Sequence, residues 1–594
     1  QTSTIASHLP KAVGCAVGIM RAKHLGLDCF LSEDSVVFAN FGDGSINHAS
    51  AQSALNCAQW ITYHNYPLPL VFLCEDNGFA VSVSSPESWI KDTVSNRLGW
   101  KYMWCDGRNI ADTYIKAKKA VDYARMKKKP VFVHMKTVRL MGHAGSDIEV
   151  SYRTKEDILV DESKDPLLCT ARMLITEGIM SKDEVASSYA ETKNKLSKIY
   201  SRLSSDDYLL DRKDVLSLTA TPRYKKNIPK QVDEKKRRII FDKDYHKLTM
   251  PRTMAQILNY TLTDIMLHYP QVVVFGEDVG RKGGVYGVTQ KLYERFSQKR
   301  VFDTILDETT ILGTAIGMSQ VGFLPVCEIQ FLAYLHNAVD QLRGEAATQK
   351  FFSNGAYHNP MVVRIPGLAY QKGFGGHFHN ENSLAVFRDM PGVMLACPSR
   401  GRDAAKMLRQ CVQRAFLYNE VVVFIEPIAL YHTKDLYSIN DSKWSDTYPS
   451  LGDNIDWGEV EVYGDERSRD IVIITYANGV YMSLQAIDKL PEKVKRRVKV
   501  LDLRWLKPLP CEQIIKNVSQ SRAVIIVDEC RVTGSLSEEL VTLLFESSVL
   551  PPVCTRVGSA DSYVPLGPAA DHVLVQVDDI LKSILSTVKK ISLP

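Results

Sequence analysis

Ser35-Val-Val-Phe-Ala-Asn-Phe-Gly-Asp-Gly44 is the stretch that decides the fold of the first part of this chain. Residues 35–41 are short, apolar and β-branched, which predicts a buried parallel strand. The loop after such a strand lies at the carboxyl edge of its sheet, where open α/β sheets bind ligands. Glycine at positions 42 and 44 lets the backbone approach a diphosphate group closely. The stretch therefore predicts an α/β domain with an anion site at one sheet edge.

A second strand ends in the other residues of this predicted site. Leu70-Val-Phe-Leu-Cys74 is typical of a strand, and Glu75-Asp-Asn-Gly-Phe-Ala80 follows it. The carboxylate of Asp43 and the amide carbonyl of Asn77 are hard oxygen ligands, which Mg²⁺ takes when it also holds phosphate groups. A Gly-Asp-Gly sequence by itself is typical of an ordinary turn. The strand before it, the helical stretch at 49–60 and the second strand favour a metal-diphosphate site.

This arrangement resembles the diphosphate-binding motif of thiamine diphosphate enzymes, and residues 77–80 are similar to the decarboxylating 2-oxo acid dehydrogenases. The resemblance implies that Asp43, Asn77 and the backbone carbonyl of Phe79 hold Mg²⁺. It also implies a set of cofactor contacts in this half of the chain: Ser3, Ile5, Gly42, Asp43, Gly44, Ser45, Asn77, Phe79 and Ala80. The family's tyrosine and arginine that hold the diphosphate from further upstream have no counterpart, so we expect the N-terminus to be incomplete.

Composition is typical of a globular protein. The 594 residues are 45% hydrophobic and 24% charged, which is enough material for three or four domains. A net charge of +5 is too small to indicate nucleic-acid binding, and no apolar run reaches the length of a membrane span. The twelve cysteines are scattered without metal-ligand spacing. This usage fits a reducing compartment, so we expect a cytoplasmic protein, or a mitochondrial matrix protein if the source is eukaryotic.

Four segments follow one another along the chain. Residues 1–204 alternate strands with helical stretches, which predicts a doubly wound parallel sheet. Residues 205–249 are rich in charge, which favours a solvated linker over a binding patch. Residues 250–445 and 456–594 each resume an α/β pattern. The resemblance implies a thiamine diphosphate-binding fold with a diphosphate-binding (alpha-like) domain, a linker, a pyrimidine-binding (beta-like) domain and a transketolase C-terminal-like domain. The alpha and beta subunits are then fused in one chain.

The second half carries candidate residues for the pyrimidine end of the cofactor. Glu308 precedes a small-residue helix, where an acidic side chain is also typical of a simple cap. The resemblance implies that Glu308 hydrogen-bonds the aminopyrimidine ring and activates the cofactor. In Glu328-Ile-Gln-Phe-Leu-Ala-Tyr334, the resemblance implies that Phe331 stacks on the pyrimidine and that Tyr334 is an active-site tyrosine. Aromatic residues in apolar helices are more often part of the core.

Two histidines complete the predicted catalytic set. Residues 373–383 form a glycine-rich loop with two histidines, which without cysteines or a carboxylate set is a weak metal signal. Counting back from Pro391-Gly392, His379 takes the position of the family's catalytic histidine, which exchanges protons with the reacting groups. His143 takes the position of a histidine that lies near the thiazolium and helps transfer to the lipoyl acceptor. The predicted catalytic residues are therefore Glu308, His379, His143 and Tyr334.

The resemblance implies oxidative decarboxylation of a 2-oxo acid with thiamine diphosphate and Mg²⁺, followed by reductive acylation of the lipoyl group of a partner dihydrolipoyl acyltransferase. The beta-like half slightly favours a branched-chain acid over pyruvate. A fused chain implies a homodimer, because the family's cofactor lies between two halves. Two alternatives stay open, namely a transketolase-like or sugar-phosphate synthase transferase with the same cofactor, and a non-catalytic scaffold chain of the multienzyme complex.

Overall fold

A computed structural model describes residues 4–27, 29–203, 211–217, 228–229, 232–371 and 376–592. The chain divides into two compact units. The first consists of Gln1–Lys23 and Cys29–Ala220, and the second of His24–Asp28 and Thr221–Pro594.

The first unit is built on a parallel sheet of four strands in the order β1-β2-β6-β5, with a separate two-stranded hairpin, β3-β4. Its strands are β1 (Val37–Gly42), β2 (Leu70–Asp76), β3 (Phe79–Ala80), β4 (Val83–Ser84), β5 (Lys101–Asp106) and β6 (Val131–Lys136). Its helices are α1 (His8–Leu25), α2 (Ala49–Tyr63), α3 (Trp89–Val94), α4 (Ile110–Lys127), α5 (Lys155–Glu162), α6 (Pro166–Thr176), α7 (Lys182–Leu203) and α8 (Arg212–Ser217). The predicted strands at 35–41 and 70–74 are thus the neighbouring strands β1 and β2.

The second unit contains two further sheets. Its strands are β7 (Val272–Gly276), β8 (Val301–Asp303), β9 (Leu324–Glu328), β10 (Met361–Gly367), β11 (Val393–Ala396), β12 (Val421–Pro427), β13 (Glu461–Tyr463), β14 (Ile471–Thr475), β15 (Val498–Asp502), β16 (Trp505–Lys507), β17 (Ala523–Arg531) and β18 (Val553–Ser559). Its helices are α9 (Glu234–Phe241), α10 (Met254–His268), α11 (Leu292–Arg300), α12 (Glu308–Gln320), α13 (Gln349–Phe352), α14 (Ala385–Arg388), α15 (Gly401–Tyr418), α16 (Asn478–Asp488), α17 (Glu492–Lys495), α18 (Cys511–Val518), α19 (Leu536–Glu546) and α20 (Val577–Lys590).

The larger of these sheets has the strand order β16-β11-β12-β10-β9-β7-β8 and is parallel except for β16. The smaller has the order β13-β15-β14-β17-β18 and is parallel except for β13. Every residue of β7, β9, β10, β11 and β12 is buried, as expected for parallel strands that are covered on both faces. The predicted α/β class is confirmed.

Strand β16 ties the two sheets of the second unit together. It follows β15 of the smaller sheet in sequence but pairs antiparallel with β11 of the larger one. Trp505 in β16 is fully buried in the same apolar core as residues of α10 and α15. The C-terminal part of the chain therefore completes the sheet of the preceding part.

Part of the predicted linker is folded. Residues 204–210, 218–227 and 230–231 lie outside the described residues, but the charged run at 234–238 begins helix α9, which packs on α10. The Arg237 guanidinium forms two hydrogen bonds to the buried carboxylate of Asp264, at 2.8 and 3.0 Å, and Phe241 is 1% exposed. The prediction that 205–249 is a solvated linker throughout is therefore wrong, because Arg237 of this charged run pairs with a buried aspartate, Asp264.

Among the described residues, none of the helices combines the length and the apolar character that crossing a membrane requires.

Candidate active site

Asp43 is the first residue after β1 and is 1% exposed. The Ser85 hydroxyl donates a hydrogen bond to Asp43 Oδ2, whereas Oδ1 is buried and has no hydrogen-bond partner among the described residues. Burial raises the pKa of Asp43, the bond from Ser85 opposes this change, and the nearby carboxylate of Asp76 raises the pKa further. A buried carboxylate oxygen without a partner, beside a second carboxylate, is an environment that a bound cation would stabilise.

The backbone at Gly44 approaches the β3-β4 hairpin closely. A Cβ atom at Gly44 would lie 2.6 Å from Ala80 Cβ and 3.0 Å from Ala80 Cα, so no larger residue fits there without displacement. At Gly42 the nearest atom to such a Cβ is Ser45 Oγ at 4.0 Å, so contacts do not demand glycine. Gly44 and Ser45 lie in the 3₁₀ turn Asp43–Asn47 at the end of β1.

Asn77 follows β2 at the same sheet edge as Asp43, since Gly42 is paired with Glu75 in the parallel register. Its Oδ1 accepts a hydrogen bond of 2.9 Å from the Phe79 N–H, and an amide oxygen can accept a second bond or a cation on its other lone pair. The structure therefore brings Asp43, Asn77, Phe79 and the Gly44–Ala80 contact to one edge of the sheet.

Asp76, next to this cluster, has cationic and neutral donors of its own. His134 Nε2 lies 2.8 Å from Asp76 Oδ2 and Lys136 Nζ lies 3.2 Å from Oδ1. Burial raises the pKa of Asp76, but these two partners outweigh it, so the pKa lies below its ordinary value. Tyr102 OH lies 2.9 Å from His134 Nδ1. The two neighbouring carboxylates therefore differ. Both oxygens of Asp76 accept hydrogen bonds, whereas Asp43 Oδ1 has no partner among the described residues.

The loop with His143 is held near Phe79 by its neighbours. The Arg139 guanidinium lies over the Phe79 ring, 5.0 Å from its centroid, and donates to the Tyr152 hydroxyl at 2.5 Å. Tyr152 donates to Asp147 Oδ2 at 2.8 Å, and the same oxygen accepts the backbone N–H of His143 at 2.6 Å. The His143 side chain is exposed.

Two predicted contacts near the N-terminus have different outcomes. Ser3 lies outside the described residues. Ile5 is described and is 53% exposed, in the segment before α1.

In the second unit, Glu308 is the first residue of α12 and is 7% exposed. The N-cap of this helix is Asp307, which accepts the Thr310 N–H at 3.0 Å, so Glu308 is free of the capping role. The Asn337 amide donates to Glu308 Oε2 at 3.3 Å, and Asn337 is itself held by Thr309, which donates to its backbone carbonyl at 2.9 Å. The simple-cap interpretation of Glu308 is therefore wrong.

The predicted aromatic and histidine residues of this unit are in contact with one another. The ring centroid of Phe331 lies 4.5 Å from that of His379 and 5.4 Å from that of Tyr334. The Tyr334 and His379 centroids are 6.2 Å apart. Phe331 is 3% exposed and also contacts core residues, so it serves as both a core residue and a wall of this cluster.

Glu277 is a residue that sequence reasoning did not assign to the site. It follows β7 directly, is 9% exposed, and its Oε1 is buried without a partner among the described residues. Burial, together with the nearby carboxylates of Glu308 and Asp278, raises the pKa of Glu277 to about 7. A carboxyl group that holds its proton near neutral pH beside Glu308 can exchange protons with that site. The sequence signal that could have indicated a role for Glu277 in the site is its position directly after an apolar strand and before a second acidic residue, Asp278.

Comparisons with known proteins agree with this arrangement of domains. Residues 2–208 match the family model for the dehydrogenase E1 component, residues 250–433 match the transketolase pyrimidine-binding domain, and residues 458–580 match the transketolase C-terminal domain. The chain is 31% identical over 345 residues to the beta subunits of the pyruvate dehydrogenase E1 component from Staphylococcus epidermidis and Staphylococcus aureus. In both cases the match covers 57% of this chain and 98% of the relative.

The chain belongs to the thiamine diphosphate-dependent 2-oxo acid dehydrogenase E1 family. It unites the E1 alpha-type domain and the two beta-type domains, as predicted. In this E1 chain the buried Asp43 oxygen and the close approach at Gly44 fit a metal-bound diphosphate, and the buried Glu308 fits a partner for a ring nitrogen. The residues present therefore fit the family's cofactor.

No group of three or more His, Cys, Asp or Glu side chains that could hold a metal ion occurs in the described part of the chain. A site that uses one carboxylate, one amide and one backbone carbonyl needs no such group, because phosphate and water oxygens complete the coordination of Mg²⁺.

Proposed function

We propose that this E1 chain catalyses the oxidative decarboxylation of a small 2-oxo acid and transfers the acyl product to a lipoyl group. The observation that supports this most directly is Asp43, a buried carboxylate whose Oδ1 has no partner among the described residues and which lies beside Asn77 and the close approach at Gly44. Bound thiamine diphosphate supplies the carbon nucleophile and electron sink that this reaction needs.

Mg²⁺ would be held by Asp43 Oδ1, Asn77 Oδ1 and the backbone carbonyl of Phe79. Burial and the Asp76 carboxylate raise the pKa of Asp43, and a cation bound at Oδ1 would offset both effects by favouring the ionised carboxylate. The Ser85 hydroxyl, which donates to the other Asp43 oxygen, would fix the carboxylate plane. Gly44 would let the backbone contact the diphosphate, with the hairpin at Ala80 behind it.

Glu308 would hydrogen-bond the pyrimidine ring of the cofactor and pass it a proton. Its burial and its hydrogen bond from Asn337 support this role, since a carboxyl group shielded from water exchanges a proton efficiently with a matched partner. Phe331 would stack on the ring. Glu277, with a pKa of about 7, would act as the proton reservoir next to Glu308.

His379, Tyr334 and His143 would act on the substrate side. The contact of His379 with Phe331 and Tyr334 supports a position next to the pyrimidine wall. A neutral imidazole there donates to or accepts from the oxygen of a reacting carbonyl. His143, on an exposed loop, would assist transfer to the lipoyl arm, which approaches from solvent.

The substrate is a pyruvate-type or branched-chain 2-oxo acid. The beta-subunit relatives carry the pyruvate name, whereas residues 328–331 favour a branched-chain acid. One methylene group changes binding by roughly 1–3 kcal/mol, so few side chains decide the choice. The physiological acceptor would be a lipoyl-bearing dihydrolipoyl acyltransferase, and the active form would be a homodimer.

The test is decarboxylation by the full-length chain with an artificial electron acceptor, with added thiamine diphosphate and Mg²⁺. Pyruvate and 3-methyl-2-oxobutanoate are compared side by side. We expect turnover that requires the cofactor and favours one acid, and a loss of at least about a hundredfold in Glu308→Gln.

Glu492→Gln is the matched control, because Glu492 also opens a helix, α17, but is exposed. It should keep parent activity. Absence of turnover with both acids, together with turnover of a sugar phosphate, would favour the transferase alternative. Absence of cofactor binding would favour the scaffold alternative.

A further inference from the structure

The loop that carries His379 has an internal hydrogen bond between a histidine and a glutamate, which the proposed mechanism does not use. His377 Nε2 lies 2.8 Å from Glu381 Oε2, so the residues two positions before and two positions after His379 are joined to each other. Between them the chain makes a 3₁₀ turn, in which the His379 N–H donates to the Gly376 carbonyl at 3.2 Å. The hydrogen bond between His377 and Glu381 therefore holds the two ends of this turn together.

Both members of this pair are also bound to the C-terminal part of the second unit. The backbone N–H of Val564 donates to His377 Nδ1 at 3.2 Å. Because Nδ1 accepts this bond, its lone pair is free of a proton, and Nε2 carries the hydrogen that points to Glu381. The Arg531 guanidinium, at the end of β17, donates to Glu381 Oε1 at 2.8 Å. The carboxylate of Glu381 is therefore shared between the loop and the C-terminal sheet.

Further contacts fix the same loop at both ends. A Cβ atom at Gly376 would lie 3.1 Å from Leu566 Cδ2, so the loop backbone lies directly on the segment that follows β18. After the pair, the Asn382 side chain donates to the Glu529 carbonyl at 2.5 Å and is buried. Two segments of the C-terminal part, 529–531 and 564–566, thus contact both ends of the stretch 376–382, which contains His379.

We propose that Arg531 and His377 are positioning residues, through which the C-terminal domain sets the place of His379 against Phe331. This inference rests on the proposed function of His379 but concerns a different set of atoms. Arg531 and His377 act through the Glu381 carboxylate and the Val564 N–H. The anchored residues, His377 and Glu381, lie two positions before and two positions after His379. Loss of their bonds therefore lets the turn move while Phe331 stays in place.

The test combines hydrogen exchange with kinetics on the full chain. In Arg531→Gln, we expect the amides of 377–384 to exchange at least about tenfold faster, because the loop opens locally. The kcat should fall at least about tenfold, as a displaced catalytic group predicts, whereas the Kd for thiamine diphosphate should stay within twofold of the parent value. Arg531→Lys keeps the charge but not the planar fork, so it should restore part of the protection and part of the kcat.

Two substitutions at His377 separate its two hydrogen bonds. His377→Gln keeps a donor for Glu381, and His377→Asn keeps an acceptor for the Val564 N–H. In each single variant the amides of 377–384 should exchange faster than in the parent. They should exchange more slowly than in the double variant that also carries Arg531→Gln. The control is His572→Gln, an exposed histidine of the same C-terminal part, which should leave exchange at 377–384 and kcat unchanged.

Unchanged exchange at 377–384 in Arg531→Gln, with the thermal midpoint preserved, would overturn the anchoring. Faster exchange with an unchanged kcat would overturn the effect on catalysis. If the parent chain turns over neither pyruvate nor 3-methyl-2-oxobutanoate, the proposed function fails, and the exchange data alone still decide whether the anchor exists.

Discussion

The parent chain should lose folding free energy as the pH rises, because Glu277 in the second unit ionises, and the replacement Glu277→Gln should remove this loss. Glu277 has a pKa of about 7, against an ordinary value of 4.5, because it is buried and lies near the carboxylate of Glu308. Each tenfold change in an ionisation constant corresponds to about 1.4 kcal/mol. The raised pKa therefore corresponds to about 3 kcal/mol of folding free energy that is present when Glu277 is protonated and absent when it is ionised.

The direction follows from proton binding. The folded chain holds the Glu277 proton more tightly than the unfolded chain, so its contribution is fully present below pH 4.5 and is lost as the pH rises through about 7. Glutamine keeps the shape of the neutral side chain and does not ionise. Relative to the parent, Glu277→Gln should gain less than about 1 kcal/mol at pH 5 and about 3 kcal/mol at pH 8.

The assay is thermal unfolding of parent and variant without added cofactor, at pH 5, 6, 7 and 8. We expect the midpoint difference to grow with pH and to reach on the order of 5 °C at pH 8. Glu546→Gln, an exposed glutamate on α19, controls for the loss of one charge and should give no pH-dependent difference. A constant difference across this range, or a variant that is less stable than the parent at pH 8, would refute the reasoning.

Three further predictions concern other parts of the chain. Gly44→Ala places a Cβ 2.6 Å from Ala80 Cβ and should destabilise the first unit by about 1–3 kcal/mol, seen as a lower unfolding midpoint and weaker thiamine diphosphate binding in calorimetry. Arg364→Leu leaves the buried carboxylates of Glu328 and Glu426 without their cationic partner. It should lower the free energy of unfolding in denaturant by about 3–5 kcal/mol; a midpoint equal to that of the parent would contradict this. Asp43→Asn should weaken Mg²⁺-dependent cofactor binding at least about tenfold, whereas Asp106→Asn, at the end of the edge strand β5, should not.

Part of the candidate site follows from local sequence alone. Asp43 and Asn77 are far apart in the chain, yet each comes directly after an apolar strand, and the ends of neighbouring parallel strands meet at one sheet edge. Glu308 was likewise visible at the start of a small-residue helix, although the resemblance to a family was needed to distinguish it from a cap. The structure excludes the cap by giving that role to Asp307.

The remainder depends on contacts between distant segments. The pKa of Glu277 is raised by burial and by nearby carboxylates, three of which, Asp307, Glu308 and Glu328, come from two other stretches of the chain. No local pattern indicates that these carboxylates converge. The partners of the charged run at α9 were missed for the same reason, because Asp264 lies on a separate helix.

The sequence by itself determined the order of the three α/β segments, part of their strands, such as β1 and β2, and the motif residues at the strand ends, because those features depend on apolar periodicity and on residues close in the chain. Only the tertiary structure decided that β16 completes the larger sheet and that Arg531 reaches Glu381 across 150 positions. Such contacts depend on how whole sheets pack on one another, and side chains that meet in this way leave no shared pattern in the sequence.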